Sequence, residues 1–79
     1  MTTSISIDNI LATKVWFFNN KLFVLLSDGR EIAVPLSWFP PLHHATETQR
    51  DNWRFIGQGR GIHWEDIDED ISIRGLLKY

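Results

Sequence analysis

From Ala12 to Leu36 the chain is a nearly unbroken succession of β-branched, aromatic and aliphatic residues, interrupted at Asn19-Asn20 and at Asp28-Gly29. That punctuation constrains the fold more than any other feature. Residues of these types favour extended backbone. Two-residue loops that follow the twist of paired strands need positive φ at both central positions, which Asn, Asp and Gly tolerate best. The segment therefore predicts a three-stranded antiparallel meander, with Asp28-Gly29 the stronger turn signal. Two-residue loops at both turns set Phe18 opposite Lys21, Trp16 opposite Phe23, Leu25 opposite Ile32 and Phe23 opposite Val34, all on one side of the sheet. The other side then carries Val15, Phe17, Leu22, Val24, Leu26 and Ala33. Both sides are apolar, so each needs a cover. One helix covers one side, which leaves the second to the C-terminal segment or to another protein chain.

After Pro35 the pattern changes. Pro40-Pro41 cannot continue a ladder and suits the first turn of a helix. Leu42, Ala45, Gln49, Trp53 and Ile56 recur at helical spacing, which predicts one main helix within 42–56, with Thr46 and Gln49 available as a capping box if it starts late. Gly57, Gly59 and Gly61 end that helix, and Ile71-Ser72-Ile73 reads as a last short strand before Gly75-Leu76-Leu77. The expectation is an α+β fold: a small antiparallel β-meander of three or more strands, packed with one main helix and a C-terminal strand and turn. Residues 1–79 form a single domain in this reading, with residues 1–10 an extra edge strand or a flexible lead.

With 79 residues the chain has room for one core. Four Trp and five Phe supply much of it. There is no Cys, so disulfides, thiolate metal sites and cysteine nucleophiles are excluded, and the expected location is the cytoplasm. The N-terminus shows no signal or transit pattern, and the apolar runs are far shorter than the roughly 20 residues that span a bilayer. A net charge of −2 gives no footprint for nucleic acid, so direct binding by this chain alone is not expected. Glu65, Asp66, Asp68, Glu69 and Asp70 gather half of the ten acidic residues in one short segment, leaving the remainder mildly basic.

Each chemical motif has a plainer alternative. Gly57-Gln58-Gly59-Arg60-Gly61 lacks the third glycine spacing of a dinucleotide loop and the Lys-Ser or Lys-Thr of a phosphate loop, so it reads as a chain reversal. Asp66, Asp68 and Asp70 match the first, third and fifth ligands of a calcium loop, but Ile71 stands at the required glycine and Leu77 at the closing Glu. A solvated turn, or a docking patch for a basic partner, accounts for these acids better. His43, His44 and His63 lack diagnostic metal spacing. The plain reading packs His63 beside Trp64, hydrogen-bonded to an acid such as Asp68. Serines, histidines and carboxylates are present without a nucleophile elbow, so no catalytic residue, cofactor or metal is assigned.

The C-terminal third, Gly57-x-Gly59-x-Gly61-Ile62-His63-Trp64-x-x-Ile67-Asp68-Glu69-Asp70-Ile71-Ser72-Ile73-x-Gly75-Leu76-Leu77, resembles the signature of a small bacterial family called domain of unknown function 2442. Asp28-Gly29-Arg30, Val34-Pro35-Leu36-x-Trp38-Phe39-Pro40-x-Leu42 and Ala45-Thr46-x-x-x-Arg50 are similar to its earlier parts. The resemblance implies an α+β fold with a small antiparallel sheet. It also implies an antitoxin-like association with a small protein encoded nearby. Some members are fused to a helix-turn-helix domain, which is not expected in this chain.

The function these readings favour is a non-enzymatic protein-interaction module, self-associating as a homodimer or binding a small protein partner, with no membrane contact. An accessory domain of a transcription regulator, whose DNA contacts come from another chain, is the alternative; a small-molecule or metal-binding protein is the third reading. Arg60, His63, Glu65 and Asp66 are the candidate recognition residues. Trp64, Asp68 and Asp70 are expected to be structural: Trp64, with Ile67, Ile71, Ile73, Leu76 and Leu77, anchors the C-terminal segment, and the two Asp fix its turn.

Overall fold

Asn19 and Asn20 both adopt positive φ, 54° and 60°, which closes a two-residue turn between β1 (Ala12–Phe18) and β2 (Lys21–Leu26). The computed structural model describes residues 9–78. Trp16 lies opposite Phe23 and Phe18 opposite Lys21, as the two-residue loop requires. A bulge at Thr13 shifts the start of β1 by one residue.

The second turn is longer than its Asp-Gly signal suggests. Gly29 donates to the Leu26 carbonyl at 3.0 Å, and Leu26 donates to the Arg30 carbonyl at 2.8 Å. Three residues thus form the loop, with Gly29 at φ 93° in the bulge position. Asp28 stabilises it by accepting from the Arg30 backbone N–H at 3.1 Å and from Arg30 Nε at 2.6 Å. These bonds hold the Asp28 carboxyl below its ordinary pKa of 3.8. The extra loop residue moves β3 (Glu31–Pro35) by one position. Phe23 faces Ala33, not Val34, and Leu25 faces Glu31, not Ile32. A one-residue slip exchanges the faces of a strand. Val34 and Ile32 therefore join Leu22 and Val24 on the inner side, while Ala33 and Glu31 turn outward.

The single main helix expected within 42–56 is replaced by two short helices and a strand. Pro40 opens α1 (Pro40–His43), so His43 and His44 lie at its C-terminal end. Thr46 is extended at ψ 165°, which stops any continuation. It caps α2 (Glu47–Asp51) through a full capping box with Gln49, at 3.1 and 3.0 Å. Asn52 ends α2, and β4 (Trp53–Ile56) begins at once. Trp53 and Phe55 sit half-buried while Arg54 and Ile56 are exposed, a period of two that suits a strand. The glycine run is accordingly a hairpin connection rather than a helix stop, joining β4 to β5 (Gly61–Trp64). The last strand, β6, spans Glu69–Ser72, earlier than expected. Ile73 opens α3 (Ile73–Leu76), where the Ser72 hydroxyl accepts from Gly75 N–H at 2.9 Å.

The architecture is α+β, with two three-stranded antiparallel sheets, β1-β2-β3 and β4-β5-β6, and three short helices. The second sheet, rather than a long helix, covers the first. Leu22, Val24 and Val34 from one sheet and Ile62, Trp64 and Ile71 from the other belong to one buried cluster, together with Leu36, Leu42, Ile73 and Leu76. Trp64 is fully buried, meets Phe17 edge-on at 6.3 Å between ring centres, and donates its indole N–H to the Arg50 carbonyl at 2.9 Å. Ile67 and Leu77 pack against the cluster from partly exposed positions. No helix among the described residues is long and apolar enough to cross a membrane. Of the edge strand or flexible lead expected over residues 1–10, residues 1–8 lie outside the described residues, while Asn9 and Ile10 form no strand and Ile10 is buried.

Candidate functional site

Strand alternation fixes what the outer face of the second sheet presents. Because Trp53, Trp64 and Ile71 point inward, the neighbouring positions Arg54, His63 and Asp70 point outward, paired side by side across β4, β5 and β6. His63 Nδ1 lies 2.5 Å from Asp70 Oδ1, and His63 Nε2 lies 3.4 Å from Glu65 Oε1. Arg54 reaches the same Glu65 oxygen at 3.3 Å. The hydrogen bond to Asp70 and its charge, followed by those of Glu65, raise the His63 pKa above its ordinary 6.5. Only 13% of the His63 side chain is exposed, whereas Asp70 and Glu65 are largely in water.

The acid that holds His63 is therefore Asp70, not Asp68, and Trp64 lies on the opposite face of the sheet from His63 rather than beside it. Asp68 serves the turn through its backbone, at φ 50°. Asp66 accepts from Asn52 Nδ2 at 3.1 Å. Arg60 sits at the far end of this face, in the hairpin loop, with Nη1 donating to the Gly57 carbonyl at 3.1 Å. It lines a shallow apolar pocket of about 280 Å³ with Ile56, Gly61, Asp70 and Ser72. His63 and Glu65 thus meet directly, with Asp66 and Arg60 flanking them. Among the described residues no group of three or more His, Asp or Glu is arranged to hold a metal ion.

The first sheet presents a different outer face. Trp16 and Phe23 stack there at 5.5 Å between ring centres and 10° between planes. Lys14 Nζ lies 5.3 Å over the Trp16 ring, a cation–π geometry. Phe18 is 70% exposed, and Leu25 is half-buried beside them. The centre of this face is aromatic and apolar, bordered by Lys14, Lys21 and Glu31, and its Trp16, Phe18, Phe23 and Leu25 stand outside the core cluster, whereas the outer face of the second sheet is charged.

A model of the family described as protein of unknown function (DUF2442) matches residues 12–79. The chain belongs to this family. A crystal structure of a protein of unknown function from Rhodospirillum rubrum is similar to it, with a TM-score of 0.76 and 31% identity over 87% of this chain and 86% of that one. The solution NMR structure of an uncharacterised protein from Chromobacterium violaceum shares the fold, with a TM-score of 0.73 and 23% identity. That match covers 86% of this chain, and the chain spans 64% of the other protein. No curated protein matches the chain.

Within this DUF2442 chain, two residues outside the candidate set shape the surface and its support. Arg54 completes the charged row, and only the pairing of β4 with β5 places it there. Arg50 joins α1 to α2, with Nε donating to the Leu42 carbonyl at 2.9 Å and Nη2 to the His43 carbonyl at 2.8 Å. Its place in the Ala45-Thr46-x-x-x-Arg50 pattern was the available signal.

Proposed function

We propose that this DUF2442 chain is a non-enzymatic protein-interaction module that makes contact through the outer face of its first sheet. The observation that carries this reading is the outward Trp16–Phe23 stack with Phe18 70% exposed beside it. Aromatic side chains concentrate in the cores of protein interfaces, and a contiguous apolar patch facing water favours association. The charged face of the second sheet, where Arg54, His63, Glu65 and Asp70 satisfy one another, is the solvated side in this reading. An antitoxin-like adaptor is its most concrete form, and an accessory domain of a transcription regulator, with DNA contacts supplied by another chain, is the alternative to it.

A tagged chain is recovered from native lysate and its mass measured by light scattering, alone and in the recovered complex. The expected result is an assembly or a stoichiometric complex that the exposed-site variant Phe18→Asp loses while its melting temperature holds. A wild-type chain that stays monomeric and unaccompanied at every concentration, or a Phe18→Asp variant that retains its partner, overturns the proposal.

A further inference from the structure

The register of the first sheet arranges its outer face in three rows. Lys14, Leu25 and Glu31 form the first, so that opposite charges occupy opposite edges, on β1 and β3. Trp16, Phe23 and Ala33 form the second, with the largest side chain on β1 and a small one on β3. Phe18, Lys21 and Pro35 form the third, at the end where Asn19 and Asn20 turn the chain. The face is thus asymmetric across the strands in both charge and size.

We infer that the partner on this face is a second copy of the chain, in an isologous dimer whose two-fold axis runs along β2; this rests on the interaction-module reading and names its partner. A half-turn about that axis lays β1 of one copy over β3 of the other, row for row. Lys14 then meets the partner's Glu31, and Glu31 meets the partner's Lys14. Trp16 covers the partner's Ala33, Phe18 covers the partner's Pro35, and Phe23 and Leu25 meet their own counterparts on the axis. Lys21 also meets its counterpart, but from the hairpin end its flexible stem carries the ammonium past the sheet into water. A half-turn about the perpendicular in-plane axis is worse: it stacks Trp16 on Trp16, sets Lys14 over Phe18 and sets Leu25 over Lys21. Face-to-face sheets align within about 30° of one another, an offset that long Lys and Glu side chains span. Nine residues a side is well short of the roughly 20–30 of a standard stable interface, so the dimer is weak and dependent on concentration.

Sedimentation equilibrium of the full chain over micromolar to millimolar concentration tests this. The wild-type mass should rise from one chain toward two. Lys14→Glu alone and Glu31→Lys alone each place like charges opposite one another twice, and each should self-associate at least about tenfold more weakly. Their equimolar mixture restores opposite charges at both pairs and should recover the dimer. Both side chains are exposed, and unchanged melting temperatures show that the fold is intact. A mixture no tighter than its components overturns the inference, as does a wild-type chain that stays monomeric. If that monomer self-associates only once residues 1–8 are removed, the chain's own N-terminal segment occupies the face instead. If it captures a different protein that Phe18→Asp releases, the dimer fails and the interaction module stands; if it does neither, both fail.

Discussion

Gly59, in the connection between β4 and β5, lies against the backbone at the start of β1. Its φ is 104°, and a Cβ there would lie 2.6 Å from the Ala12 carbonyl oxygen at the start of β1. Gly59→Ala therefore combines a disfavoured backbone conformation with a clash, and should cost about 2–4 kcal/mol in a denaturant melt. His63 makes a contribution that depends on pH. Asp70 and Glu65 favour its charged form, so its folded pKa lies above the ordinary 6.5 while the unfolded value does not. The stabilisation is complete below pH 6.5 and is lost as the pH rises through the folded value. Urea midpoints should fall between about pH 6 and about pH 8, and His63→Gln should flatten that slope.

At the scale of elements, the legible parts were those with one local solution. Asn19-Asn20 fits a two-residue hairpin, and both residues take the required φ. Asp28-Gly29 fits a two-residue loop and a three-residue loop equally, because Gly occupies a left-handed position in both. What separates them is the alternation Glu31-Ile32-Ala33-Val34, which sets Ile32 and Val34 on the inner side with Leu22 and Val24 only in the longer loop. The helix read into 42–56 failed because helical spacing selects Trp53 and Ile56 whereas strand alternation selects Trp53 and Phe55, and tertiary pairing with β5 decides between them. The Thr46 cap marked the break between α1 and α2, and Arg50 holds the two helices together across it. Arg50→Ala removes both of its bonds to the end of α1 and should lower stability by about 1–3 kcal/mol, seen as a reduced thermal midpoint.

The whole molecule shows which functional features a sequence can carry. A sheet apolar on both sides was visible from alternation in the first two strands, and on one side Trp16, Phe18, Phe23 and Leu25 stand outside the core cluster. His63 and Glu65 were legible as neighbours because they lie two apart, His63 in β5 and Glu65 just past its end. Their partners Asp70 and Arg54 come from the flanking strands, and that proximity exists only once β4 and β6 pair with β5. Both sheets are meanders of consecutive strands, 12–35 and 53–72, so every ladder joins neighbours in the chain. Such local pairing favours rapid formation of each half, and the slow step falls to their docking. The contact of Gly59 with Ala12 belongs to that last step. Gly59→Ala should therefore slow folding as well as speed unfolding.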